Sequence, residues 1–314
     1  MNIQSYPTNQ VSSFLLASQK SVPNIIKLPC GLSFVRDPEM TGYYCLGFIV
    51  FGLSYGLFIV PHLVVLPMYQ QGQIGTLAVI GYFTSAICTL VSLFRSATSD
   101  PGRISMDLRP AEADKLNWTH CQKCFIQRPV NSHHCRRCGQ CVRLMDHHCP
   151  WINNCVGEDN KWMFVLLVFY GAVLSFLALI FIICHFYFFD PCREDICDKN
   201  NFMFKHSRWF MYLAFVLDIT LLLICFSQFV TQVVNIYLNR TTLEQIIESA
   251  KYYHYGQYGE PDEEPKHSHG RGKLTAYESF RNVWGSGTIL CWMNPFRRRR
   301  ATPQFVYNDQ LMNV

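Results

Sequence analysis

The sequence predicts a mostly α-helical, polytopic membrane protein: four transmembrane helices, with a small cysteine-rich domain in the loop between the second and third. Three observations predict it. Hydrophobic residues make up 50% of the 314 and charged residues only 16%, below the roughly 25% charged that is usual in globular proteins. The apolar residues gather into four runs of membrane-crossing length. Seven of the fifteen cysteines crowd between Cys121 and Cys155, which argues for a metal-built loop on the reducing side of a membrane and against a disulfide scaffold.

In chain order, residues 1–42 are a mixed, polar N-terminal segment without the apolar core or small-residue cleavage site of a signal peptide. The first span, 43–65, carries no charge apart from His62 near its end; the second, 74–94, stops at Arg95; the third and fourth are 162–189 and 210–237. At about 1.5 Å per residue, each can cross a hydrocarbon core of roughly 30 Å. Buried helices of a soluble protein would not come as four such runs separated by charged loops. Lys and Arg set the orientation. The N-terminal segment, the loop 95–161 and the tail 238–314 hold twenty-three of them, the loops 66–73 and 190–209 only four. Both termini and the cysteine-rich loop therefore face the cytosol. Cys192 and Cys197 fall on the opposite side, as a disulfide or as two free thiols.

Asp218 lies inside the fourth run, where a carboxylate is costly. It reads as a protonated or hydrogen-bonded packing residue, because a transporter would carry several such groups. In the tail, 256–272 has the composition of a flexible link. The apolar stretch 289–296, followed by Arg297-Arg298-Arg299-Arg300, suits either a segment on an anionic leaflet or a solvated basic run.

The pairs Cys121/Cys124 and Cys135/Cys138 have the C-x-x-C spacing with which two thiolates grip one metal. With Cys149 set aside, Cys121, Cys124, Cys135, Cys138, Cys141 and Cys155 plus two histidines make eight ligands, enough for two closed Cys₃His zinc sites. An iron–sulfur cluster would not usually recruit histidine at this spacing, and the lone Cys149 does not fit a RING-type cross-brace. The remaining cysteine stands beside Asp146, His147 and His148. Nucleophile, base and orienting carboxylate is the triad arrangement with sulfur in place of oxygen. One histidine of the pair would serve zinc and the other the thiol.

At these residues a family resemblance enters. Cys121-x₂-Cys124, Arg128-Pro129, His134-Cys135-x₂-Cys138-x₂-Cys141-x₄-Asp146-His147-His148-Cys149-Pro150-Trp151, Asn154-Cys155-Val156-Gly157 and Asn160 resemble the cysteine-rich domain of the DHHC protein S-acyltransferases. Asp100-Pro101-Gly102 after the second span and Thr241-Thr242-Leu243-Glu244 after the fourth extend the likeness, as does Asn282 in Asn282-Val283-Trp284-Gly285. The resemblance implies one zinc on Cys121, Cys124, His134 and Cys141, and another on Cys135, Cys138, His148 and Cys155. It implies that Cys149 accepts an acyl group from palmitoyl-CoA, with His147 as base and Asp146 as its orienter, and passes it to cytosolic cysteines of membrane-associated proteins. It further implies that the Thr241–Glu244 motif braces the tail against the loop, and that the membrane is that of the Golgi or the cell surface.

The expected partners are therefore acyl-CoA, protein substrates and the lipid bilayer, with no nucleic acid. Many family members carry a basic residue where this chain has Asn131; Arg128, His133, Arg136 and Arg137 remain as candidates for the CoA phosphates. The family's use of the span interior as an acyl cavity suggests that a sixteen-carbon chain ends near Val173 and Leu174, with Leu174 a ceiling residue unless both face lipid. A catalytically idle zinc scaffold is the alternative function, against which the intact Asp146–Cys149 quartet speaks.

Overall fold

The structure is a computed structural model that describes residues 23–28, 32–104, 118–129, 131–188, 201–258 and 274–297. Cys192, Cys197, residues 259–272 of the expected link and Arg298–Arg300 lie outside the described residues.

Among the described residues, four helices are long and apolar enough to cross a membrane: Thr41–Gln70, Thr76–Thr98, Lys161–Tyr187 and Ser207–Tyr237. The first comprises α1 (Thr41–Val60), a wider turn over Pro61–Val65 and α2 (Leu66–Gln70). It runs past the end of the apolar stretch at Val65. In the widened turn the Leu66 N–H reaches back to the Pro61 carbonyl, so the chain passes a residue without an N–H and stays helical. The second span is α3 (Thr76–Thr98), the third α4 (Lys161–Tyr187); a short α5 (Phe202–Lys205) leads into the fourth, α6 (Ser207–Tyr237).

Helix α4 sits at the centre, packed against α3 on one side and α6 on the other, while α1 closes on α6. Half of the most apolar stretch of α4 is buried, against 17% of that of α6. The large apolar side chains left exposed, such as Leu77, Phe94, Leu223 and Phe226, are what a lipid-facing surface requires.

Outside the helices the described backbone pairs into four antiparallel hairpins. Strands β1 (Ile25–Lys27) and β2 (Ser33–Val35) form the first. The cysteine-rich loop holds β3 (Trp118–Cys121) with β4 (Ile126–Pro129), β5 (His133–Cys135) with β6 (Gln140–Val142), and β7 (His147–Cys149) with β8 (Asn154–Val156). The first hairpin lies on the loop: Val35 joins Cys135, Cys138, Val142 and Cys155 in one buried cluster, with Ile25 packed against it. The Asn24 N–H also bonds the Cys138 carbonyl.

At the other end of the chain, α7 (Thr242–Tyr258) follows α6 directly, and α8 (Ala276–Trp284) and α9 (Ile289–Trp292) dock on the bundle. Trp284 and Trp292 stack with ring centres 6.0 Å apart and cluster with Trp162 of α4. Arg95 and Arg297 lie over the Trp162 ring at 4.9 and 5.0 Å, within cation–π range. Of the tail stretch 289–296, Trp292 is thus packed against the bundle, while Ile289 and Leu290 stay exposed.

Candidate acyl-transfer site

Each short strand of the loop sends alternate side chains to opposite faces. In β5, adjacent His134 and Cys135 must therefore part company. His134 joins Cys121, Cys124 and Cys141 in one group that could hold a metal ion; Cys135 joins Cys138, His148 and Cys155 in another. Strand register completes the sets, because His134 stands opposite Cys141 and His148 opposite Cys155. In each group the ligand atoms lie within 4.8 Å of one another.

The sulfur spacing suits zinc. Two thiolates each about 2.3 Å from a tetrahedral zinc stand roughly 3.8 Å apart; Cys138 and Cys155 Sγ are 3.4 Å apart, Cys124 and Cys141 Sγ 3.9 Å. Both histidines present Nδ1 to the sulfurs, at 3.2 Å from Cys124 and 3.5 Å from Cys138. The C-x-x-C turns are closed by backbone N–H groups of Cys124 and Cys138 donated to the sulfurs of Cys121 and Cys135.

The same alternation in β7 separates His148, which turns to the metal group, from His147 and Cys149, which share the other face. His147 Nδ1 is 2.8 Å from Asp146 Oδ2, and its ring lies edge-on to Phe164 at 5.2 Å. Burial works against an imidazolium here, but the hydrogen bonds to Asp146 and Cys149 outweigh it and push the His147 pKa up to about 9. That makes it a strong proton acceptor beside the thiol.

Asp146 is fully buried and is the hub of the site. Oδ1 accepts from Lys161 Nζ at 2.8 Å and the Thr242 N–H at 3.0 Å. Oδ2 accepts from Gln232 Nε2 and Thr242 Oγ1, each at 2.8 Å. Burial alone would raise its pKa, but Lys161 and then His147 hold the carboxyl well below the usual carboxylate range. The Thr241–Glu244 motif is itself a reciprocal cap, Thr241 N–H to Glu244 Oε2 at 2.7 Å and Glu244 N–H to Thr241 Oγ1 at 3.1 Å.

Lys161 and Gln232 are site residues that sequence reasoning missed. Gln232 is a polar residue within an apolar run, the same signal that drew attention to Asp218; Lys161 counted only as one more loop cation. The Lys161–Asp146 pair is almost wholly buried, and breaking such a pair by removing one partner costs about 3–5 kcal/mol. Lys161→Met is expected to lower the thermal midpoint in detergent. Adding Asp146→Asn should recover part of the loss, since no orphan carboxylate then remains; a further drop in the double variant would count against the pair.

Cys149 is buried and lines an apolar chamber of about 360 Å³, between α1, α3, α4 and α6, whose walls include Leu53, Leu93, Phe164, Gly171 and Cys225. A smaller cavity of about 60 Å³ shares Ile49, Leu53, Trp151, Leu221 and Ile224 with it and extends to Leu174, Tyr82 and Asp218. Leu174 is buried and faces this interior. The loop after Cys149 is braced from the N-terminal side. Gly42 of α1 presses on Asn153, where an added Cβ would stand 2.1 Å from Oδ1, and Asn153 Nδ2 donates to the Val35 carbonyl at 3.0 Å.

The four cations considered for CoA are spread along the loop. Arg128 donates to Thr119 Oγ1 at 3.3 Å. Arg136 meets Glu39 at 3.4 Å, and Arg137 meets Asp37 at 3.2 Å and Glu39 at 2.9 Å. Burial, and then Arg128, push the His133 pKa down. Asn131, where many family members carry a basic residue, has a φ of 64°, a left-handed turn that asparagine tolerates better than a long side chain does.

A metal-capable loop that sets a thiol at the mouth of an apolar chamber within four membrane helices is the architecture of an integral membrane protein of the DHHC class. The DHHC palmitoyltransferase family model matches residues 114–249. The chain is 37% identical over 269 residues to the palmitoyltransferase ZDHHC21 of Bos taurus and 36% identical over the same length to that of Homo sapiens, covering 86% of this chain and 94% of each relative. It is 29% identical over 301 residues to ZDHHC3 of Rattus norvegicus, covering 92% of this chain and 90% of that one. The chain belongs to the DHHC palmitoyltransferase family.

Proposed function

We propose that this protein is a protein S-acyltransferase that moves a palmitoyl group from palmitoyl-CoA, through a thioester on Cys149, to cysteines of membrane-associated proteins. The observation that carries the reading is the shared face of β7, with the His147–Asp146 pair beside a thiol that opens on an apolar chamber.

In the first step, His147 takes the Cys149 proton. The thiolate attacks the thioester carbonyl, the bond from carbonyl carbon to CoA sulfur breaks, and CoA leaves with the proton returned by His147. In the second, a substrate cysteine loses its proton to His147 and attacks the Cys149 thioester, and the Cys149 thiolate departs. Asp146 keeps the His147 ring oriented throughout. Zinc on each of the two Cys₃His groups would be structural, replacing the core that so short a loop cannot build.

The loop faces the cytosol in this reading, as the Lys/Arg distribution supports, in the Golgi or the plasma membrane, as the family resemblance supports. For the CoA phosphates we favour Arg128, His133, Arg136 and Arg137. The Arg136 side chain is 91% exposed, and a surface pair such as Arg136–Glu39 contributes little, so it can turn to a phosphate at small cost.

The acyl chain would lie in the two adjoining cavities, where burial gains about 0.8 kcal/mol per CH₂. Leu174 would then bear on its far end. Loading of the full-length protein in vesicles from acyl-CoAs of fourteen, sixteen and eighteen carbons, chased with a membrane-anchored thiol, tests both points. Thioester formation followed by transfer is expected. Leu174→Trp should shift the preference toward fourteen carbons and Leu174→Ala toward eighteen. Labelling that never chases to the thiol would favour an idle, merely self-modified scaffold.

A further inference from the structure

Helix α6 runs along the cavities as a ruler. Gln232, bonded to Asp146, marks the level of the site, and Asp218 stands fourteen residues earlier on the same helix. Fourteen residues are just under four turns, so both side chains share one face, about 21 Å apart along the axis. Between them on that face, Leu221, Cys225 and Gln228 line the chamber at Cys149. An extended sixteen-carbon chain, advancing about 1.2 Å per bond, spans roughly 18–20 Å. A chain that starts in the Cys149 chamber therefore has the length to reach the level of Asp218.

The Asp218 carboxyl is not an ordinary packing group. It is only 9% exposed, and among the described residues its Oδ2 has no hydrogen-bond partner. It belongs to the wall of the small inner cavity, with Gly52, Gly56 and Leu174. A Cβ at Gly56 would stand 3.9 Å from Oδ1, so the absence of a side chain there leaves the carboxyl accessible from the cavity. The rest of that wall is apolar apart from the hydroxyls of Tyr82 and Thr220, and Thr220 Oγ1 donates to the Val216 carbonyl. A buried acceptor without a partner is costly, and a donor that reaches it is correspondingly favoured. A methyl group cannot satisfy it; a hydroxyl can, whether the carboxyl is ionised or protonated, since an acceptor oxygen remains in both states.

We propose that Asp218 is a specificity determinant at the inner end of the acyl cavity, and that the cavity takes acyl thioesters whose sixteen-carbon chain ends in a hydroxyl, which donates to the Asp218 carboxyl. The proposal rests on the acyl-transfer reading above and adds a substrate class to it.

The test is competition between palmitoyl-CoA and 16-hydroxypalmitoyl-CoA for thioester formation on the full-length protein, scored by intact mass before and after hydroxylamine. The ratio of hydroxyacyl to acyl loading is expected to be roughly tenfold higher for the wild type than for Asp218→Leu, the worth of one buried hydrogen bond. Asp218→Asn keeps an acceptor oxygen and should retain most of the preference. Gly56→Val leaves Asp218 in place but fills the approach to it, and should lose the preference as Asp218→Leu does; it decides the matter if Asp218→Leu does not fold. An unchanged ratio in the variants, with palmitoyl loading intact, would overturn this inference alone. No loading of the wild type from either donor would overturn the acyl-transfer reading, and this inference with it.

Discussion

Cys149→Ser protein is expected to carry two zinc ions and no thioester-linked acyl group. Cys149 shares a strand face with His147, turned away from both ligand groups, and neither group needs it. A hydroxyl at this position occupies less space, so the fold should tolerate it. It is also a far weaker acid and a poorer nucleophile toward a thioester than a thiol. Loss of a nucleophile from a triad lowers the rate on the order of 10⁴-fold or more. Metal content by elemental analysis and hydroxylamine-sensitive labelling with a palmitate analogue read the two halves of this expectation separately. Loss of one zinc in the variant would make Cys149 a ligand.

The second expectation separates two neighbours. His148→Ala should release one zinc and leave the loop open to proteolysis, because the binding free energy of a structural zinc, about 10–16 kcal/mol in small domains, is folding free energy. His147→Ala should keep both ions and lose about 10²–10⁴ in acylation rate, the usual worth of a positioned base. The physical ground is the two-residue period of β7, which turns adjacent imidazoles to opposite faces. Chelator treatment of the wild type should reproduce the His148→Ala pattern. Equal metal loss in the two variants would refute the division of labour.

The residues that made the site legible were local in sequence. C-x-x-C pairs, a lone cysteine among histidines, and four long apolar runs need no tertiary knowledge, because ligand spacing and hydrocarbon thickness are short-range constraints. The interleaving of ligands between the two metal groups was available only through family resemblance, although strand alternation at His134–Cys135 and at His147–His148 accounts for it once the hairpins are seen.

Other features depended on what packs against what. Asp146 gathers Lys161, Gln232 and Thr242 from up to 96 residues away, and the chain around Asp146 carries no mark of them. The β1–β2 hairpin covers the second metal group, although 1–42 read as a plain polar segment. Asp218 read as a packing residue, yet its carboxyl lies on a cavity wall without a partner for Oδ2.

The sequence alone determined which segments are the four long apolar helices and which side chains could bind metal, since those follow from composition and from periods of a few residues. Only the tertiary structure decided which face of each span looks inward. A membrane helix that is apolar all round has no stripe to announce its rotation, so the surroundings of Asp146, Leu174 and Asp218 were fixed by tertiary packing.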